Sequence, residues 1–259
     1  AMLADSTDLP VLGGIPRIKN VQKGYLKVQE SSPKDILSSS FRLVRTNLQF
    51  LVGNKASDGT TVMVTSVLPS EGKTFTSINL SRIIAMTGKK VLLIDMDLHK
   101  PKIHKAFNLE NDRGLSSLLI GAEDMNNIVH DSDFEELKII TSGPIPPNAS
   151  DLVLSDTMEV LFNDLRKEFD YIIIDTPPTG LITDAITLMK HMDKKVFVMN
   201  SKTASKRTIT FIQGIIDRGK VKNVGLVLNH TKESALQGYY GKYSYGYSYQ
   251  YGYGHGSDG

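Results

Sequence analysis

Several short runs in this chain are apolar at successive positions rather than at alternate ones: Val91-Leu-Leu-Ile, Tyr171-Ile-Ile-Ile, Val196-Phe-Val-Met and Val224-Gly-Leu-Val-Leu. A strand that is apolar on both sides must be covered on both sides, and a sheet with one wet face cannot do that. Segments with helical character separate these runs. The expected fold is therefore α/β, a mostly parallel sheet with helices on both faces and right-handed crossovers. In such a sheet the functional residues gather at the carboxyl ends of the strands. Two of the runs end there in an acid, Asp95 and Asp175.

The order of elements can be read along the chain. Asp8 to Pro16 is apolar and punctuated by Pro and Gly, which suits an edge strand or an extended arm. Ser32-Pro33 places Pro at the first position of a helix. Leu37, Phe41, Val44, Leu48 and Leu51 then form one helical stripe that ends near Gly53, with Arg42 and Arg45 off the stripe. Thr60–Val67 reads as a strand and Lys73–Met86 as a helix closed by Gly88. Lys90–Asp95 reads as a strand, followed by weak helices around Pro101–Phe107 and Leu115–Leu119. Leu137–Thr141 is a strand, and Ser142–Asn148 a Pro-rich loop. Asp156–Lys167 is a helix, with Asp156 and Glu159 spaced as a capping pair. Tyr171–Asp175, Lys195–Asn200 and Val224–Asn229 complete the strands, with a helix near Lys206–Arg218. Three units follow: an arm over 1–31, a core domain over 32–230, and a low-complexity tail over 231–259, expected to be flexible.

Composition narrows the function. The chain has no cysteine, which excludes disulfides, Cys-bound zinc and a thiol nucleophile. A formal net charge of +2 gives no general case for nucleic-acid binding. No apolar run approaches the length of about 18 residues that a membrane helix needs. The start, Ala1-Met2, lacks the charged and apolar regions of a signal peptide, so none is expected.

Ser66-Val-Leu-Pro-Ser-Glu-Gly-Lys-Thr74 lies between a strand and a helix, the context that a phosphate loop requires. Pro69, Ser70, Glu71, Gly72, Lys73, Thr74 and Phe75 would wrap phosphates with backbone N–H groups at a helix N-terminus. Lys73 would reach the terminal phosphates and the Thr74 hydroxyl would ligate Mg²⁺. The position usually held by the first Gly is Val67. Asp95 and Asp97 follow one strand, and both point to one side if the chain stays extended, as a metal and general-base pair would. Asp175, followed by Thr-Pro-Pro178, resembles the second acid of phosphate-loop proteins and would hold Mg²⁺ through water. No Asn-Lys-x-Asp guanine-reading motif is present. Asn229 would hydrogen-bond an adenine edge or else serve as a strand-end turn residue.

Taken in this order, the motifs resemble the bacterial tyrosine kinases, phosphate-loop proteins unrelated to the eukaryotic kinases. The resemblance runs from about Leu9 to the C-terminus. It implies a fold of the MinD/ParA kind, ATP and Mg²⁺ as cofactors, and roles for Lys73, Asp95 and Asp97 in catalysis. Thr74, Asp95 and Asp175 would serve the metal. It implies a homo-oligomer, possibly a ring in shape, through Arg42 and Arg45 of a Glu-x-x-Arg-x-x-Arg motif, whose Glu position here is Ser39. In the acidic motif Asp-x-Asp-x-Arg, the Arg position is His99, followed by Lys100. It also implies a membrane-spanning co-polymerase or activator segment, on the same or a partner chain, at the cytoplasmic face of the bacterial inner membrane. A phosphotyrosine phosphatase and a role in capsule or exopolysaccharide export belong to the same picture.

The tail fits this chemistry. Eight of the ten tyrosines fall in it: Tyr239, Tyr240, Tyr243, Tyr245, Tyr247, Tyr249, Tyr251 and Tyr253. Extended, the last 21 residues would reach about 70 Å, enough to enter a neighbouring active site. Each phosphate adds about −1.5 to −2 charge, so a fully modified tail would loosen such an oligomer. Two rival readings remain at this stage. One is a ParA/MinD-type ATPase, although the position of its signature Lys is Leu68. The other is a nucleotide-gated scaffold without kinase activity.

Overall fold

The computed structural model describes residues 7–18, 36–51, 58–145, 156–181 and 185–232. Eight strands form one sheet: β1 (Val11–Pro16), β2 (Thr60–Thr65), β3 (Val91–Asp95), β4 (Val129–Asp131), β5 (Leu137–Ile140), β6 (Tyr171–Asp175), β7 (Lys194–Asn200) and β8 (Val224–Thr231). Their order across the sheet is β1-β8-β7-β2-β6-β3-β5-β4. Every neighbouring pair is parallel except β4 with β5. The helices are α1 (Ile36–Gln49), α2 (Lys73–Ala85), α3 (Ile103–Phe107), α4 (Leu115–Leu119), α5 (Met125–Ile128), α6 (Asp156–Glu168), α7 (Ala185–Lys190) and α8 (Lys206–Gly219).

The all-apolar strands are buried on both sides, as their pattern requires. On one face Val62, Val64, Leu93, Ile173 and Val196 pack against Phe41 and Val44 of α1 and Ile78 and Ile83 of α2. On the other, Met63, Leu92, Ile172, Ile174 and Phe197 pack against Phe162 of α6, Met189 of α7 and Ile212 of α8. Alternate residues of one strand thus serve opposite cores. Each fully buried aliphatic or aromatic side chain contributes roughly 1.5–3 kcal/mol to this arrangement.

The N-terminal segment is an edge strand rather than a free arm. β1 pairs with β8 in parallel. Asn47 of α1 donates its side-chain amide to the Leu12 carbonyl at 2.8 Å. The 1–31 segment therefore adds a strand to the sheet of the core domain. The stripe of α1 buries Leu37, Phe41, Val44 and Leu48, but the helix ends at Gln49, before Gly53. Three elements went unread in the sequence. β4 has three residues and α5 four, too few for a period, and α7 has six. The Ser32-Pro33 helix start, Pro146–Asn148 of the Pro-rich loop and the tyrosine tail lie outside the described residues.

Candidate functional site

The strand order puts β2, β6 and β3 side by side, so the phosphate loop and both strand-end acids meet at one edge. Beyond β2 the loop is fixed by its own polar groups. Ser66 Oγ donates to the Leu68 carbonyl at 2.6 Å, and the Leu68 amide donates to Glu71 Oε2 at 3.0 Å. The Thr179 amide, from the loop after β6, donates to the Ser66 carbonyl at 2.8 Å. Ser70 and Gly72 take positive φ, 63° and 100°. Gly72 stands directly before α2, so the first amides of that helix follow the turn. Those amides have no carbonyl a turn earlier within the helix and are free to receive phosphate oxygens.

Lys73 and Thr74 open α2 and are both buried. Lys73 Nζ pairs with Asp97 Oδ2 at 2.9 Å. Burial alone would lower the Lys73 pKa, but Asp175, Asp97 and Asp95 around it raise it, so the ammonium stays charged. Thr74 Oγ1 donates to Asp175 Oδ2 at 2.7 Å, and Ser77 Oγ to Asp175 Oδ1 at 3.1 Å. Ser77 is a site residue that the sequence reading missed. Its signal was its place one turn after Lys73, on the same helix face.

Asp95 and Asp97 reach the site by a route other than the expected one. The chain does not stay extended past β3. It turns, and Asp95 Oδ1 accepts the Asp97 amide at 3.2 Å. Asp95 Oδ2 accepts the Lys102 and Ile103 amides, each at 3.0 Å. Asp95 therefore organises the turn that points Asp97 at Lys73. Asp97 Oδ1 also accepts the Lys100 amide at 3.0 Å. Asp95 and Asp175 are register partners on adjacent strands. Burial, then the charge of Asp175, pushes Asp95 up to about 7. Burial also pushes Asp175 up to about 6, against the pull of Lys73 and the Thr74 hydroxyl.

One lysine against three buried carboxylates leaves an excess of negative charge, which a cation would offset. Among the described residues no group of three His, Cys, Asp or Glu side chains could hold a metal ion. The donors at hand are one hydroxyl and an acid hydrogen-bonded to it. That set suits a hard cation such as Mg²⁺, which keeps most of its own waters and takes few protein ligands.

Asn229 is buried, and its amide is committed to the loop rather than turned outward to read a base. Nδ2 donates to the Glu71 carbonyl at 3.0 Å and Oδ1 accepts the His230 amide at 2.8 Å. A side chain at Gly72 would collide with that amide. Glu71 is buried too, and burial raises its pKa; Oε1 has no hydrogen bond among the described residues. His99 and Lys100 are exposed. Arg45 Nη1 donates to the Ile83 carbonyl at 3.0 Å, tying α1 to α2, and Arg42 is half-buried beside it on α1.

A strand, a Gly-Lys-Thr turn and a helix, faced by acids from two neighbouring strands, define a phosphate-loop nucleotide-binding domain. The AAA domain family matches residues 61–224. MinD from Pyrococcus horikoshii shares the fold, at a TM-score of 0.55 and 22% identity over 66% of this chain. Nearer relatives are more specific. The tyrosine-protein kinase YwqD of Bacillus subtilis is 37% identical over 227 residues, covering 87% of this chain and 94% of that protein. The crystal structure of the chimerical protein CapA2B2 superposes with a TM-score of 0.78 at 32% identity, covering 90% of this chain and 99% of that one. The tyrosine-protein kinase etk of Escherichia coli is 30% identical over 86% of this chain, which spans 30% of its length. The chain belongs to the family of bacterial tyrosine-protein kinases.

Proposed function

We propose that this chain transfers the γ-phosphoryl group of ATP, bound with Mg²⁺, to tyrosine hydroxyls, and that its own Tyr239–Tyr253 cluster is a substrate. The observation that carries this reading is the buried constellation of Lys73 on Asp97 and Thr74 on Asp175 at the mouth of the phosphate loop. Thr74 and Asp175 would hold Mg²⁺, with Asp95 behind them. The ion would supply positive charge to the phosphate oxygens. The amides after Gly72 and the Lys73 ammonium would bind and orient the phosphates.

A tyrosine hydroxyl, with a pKa near 10, is a weak nucleophile at neutral pH. As its oxygen bonds to phosphorus, the bond from phosphorus to the ADP oxygen breaks and the phenolic proton must leave. The proton goes to a carboxylate held beside the phosphate. We place Asp97 in that role rather than Asp95, a choice supported by the three backbone amides that already hold Asp95. Catalysis otherwise consists of positioning and charge stabilisation.

The tail would be served in trans within a homo-oligomer that includes the Arg42–Arg45 face of α1. A membrane-spanning co-polymerase or activator segment would place the domain at the cytoplasmic side of the inner membrane, where it regulates capsule or exopolysaccharide export. A phosphotyrosine phosphatase would reset it. No helix among the described residues is long and apolar enough to cross a membrane, so the anchor would lie on another segment or chain. The test starts from phosphatase-treated protein given Mg-ATP, with phosphate mapped by mass spectrometry. Phosphotyrosine on the tail that disappears in Lys73→Met supports the reading. Phosphate release without protein labelling would instead indicate an ATPase of the MinD kind.

A further inference from the structure

Beyond Asp97 the chain walls a groove of about 570 Å³. Lys100, Pro101, Lys102 and Lys105 line it together with Pro144 and Ile145. The three lysines are exposed, and none is ion-paired among the described residues. Among the described residues no acidic side chain lines the groove. Ile145 is 61% exposed, a large apolar residue left open at its rim. The groove wall is tied to the acids through the backbone: the Lys100 amide donates to Asp97 and the Lys102 amide to Asp95. An apolar groove bordered by three exposed lysines suits a group that is both aromatic and dianionic, with its ring in the groove and its charge at the rim.

The chain makes such a group if the kinase reading holds, and this inference rests on that reading. We infer that the groove binds a phosphotyrosine already formed in the tail segment Tyr239–Tyr253, and so presents the next tyrosine to Asp97. Two features of the tail fit. From Tyr243 to Tyr253 tyrosine recurs at every second residue. In an extended chain such residues share one side, about 7 Å apart. A phosphate in the groove and a free hydroxyl at the acids can then belong to neighbouring tyrosines of one strand. Lys242 is the single charged residue between Tyr239 and Tyr253. The unmodified Tyr239–Tyr253 stretch therefore has no negative charge for three lysines to attract, and the first phosphate changes that. The first transfer is slow and later ones are primed. Once several phosphates outweigh three ammonium groups, the excess negative charge drives the tail out.

The test uses the full, phosphatase-treated chain and labelled peptides spanning residues 239–253. One peptide is unmodified, one carries phosphotyrosine at Tyr247, and one carries phosphoserine at Ser248 as a control for charge alone. Fluorescence anisotropy should show the phosphotyrosine peptide binding about tenfold more tightly than the unmodified one, with the phosphoserine peptide in between and the gain shrinking in high salt. The gain should vanish in Lys102→Ala/Lys105→Ala and persist in Lys105→Arg, with thermal melts confirming folded protein. With Mg-ATP, kcat/KM for the primed peptide should exceed that for the unprimed one by a similar factor, and the ratio should fall to near one in the double alanine variant. Equal binding of modified and unmodified peptides, or a gain untouched by removing the lysines, would overturn the inference. A chain that labels both peptides alike keeps the kinase reading and loses the groove. One that binds the phosphotyrosine peptide through the lysines but labels nothing keeps the groove and loses the kinase reading.

Discussion

Replacing Gly72 with Ala tests whether the phosphate loop is held from behind by β8, the last strand along the chain. Gly72 sits at φ 100°, where an L side chain is strained by about 1–2 kcal/mol. The added methyl would also overlap the Asn229 side-chain amide, so that amide must move. Moving it breaks the 3.0 Å bond to the Glu71 carbonyl and the 2.8 Å bond from the His230 amide. Each is worth about 1 kcal/mol, with more lost where a buried partner stays unsatisfied. Gly72→Ala should therefore cost about 3–4 kcal/mol, and Asn229→Ala about 2–3 kcal/mol. The double variant has no amide left to displace. Its cost should be only the backbone strain plus the lost bonds, about 3–5 kcal/mol, some 2 kcal/mol less than the two singles added together. Urea unfolding of the four proteins, read by circular dichroism, measures this coupling directly. Additivity within about 0.5 kcal/mol would refute the reasoning, because the two residues would then not share the contact. Nucleotide affinity should fall in all three variants.

Other consequences follow from the buried charges. A carboxyl whose folded pKa is raised keeps its proton where the unfolded chain has lost it, so stability falls as pH rises between 3.8 and about 7. Asp95→Asn should flatten that fall in nucleotide-free melts from pH 4.5 to 8 while reducing transfer; an unchanged slope would count against the buried Asp95–Asp175 pair. Lys195 shows the opposite sign. Burial lowers it to about 8, against 10.5 when unfolded, so stability should rise with pH across that window. Lys195→Met should raise Tm at pH 7 and remove the rise. Lys73→Met should cut phosphoryl transfer by about 10²–10³-fold, measured as initial phosphotyrosine formation. The same substitution strips Asp97 of its buried partner, so the melting temperature should fall as well.

Much of this site could be read from neighbouring residues. The all-apolar runs fixed a parallel sheet covered on both faces, because no half-wetted sheet tolerates them. The loop ending in Gly72, Lys73 and Thr74, and the strand-end acids Asp95 and Asp175, were legible because their meaning depends on residues a few positions away. The tyrosine spacing of the tail is legible for the same reason.

Long-range packing decided the rest. Nothing local says that β6 separates β2 from β3, yet that order brings Thr74 to Asp175 and Asp175 to Asp95. The turn after Asp95 depends on the amides of Lys102 and Ile103, seven and eight residues on, so alternation could not foresee where Asp97 points. Asn229 comes from a strand more than 150 residues beyond Gly72. Its contact with the loop arises because β8 adds to the sheet outside β7. A strand's place in a sheet is set by competition among all possible pairings, and that competition is settled only when the whole chain packs.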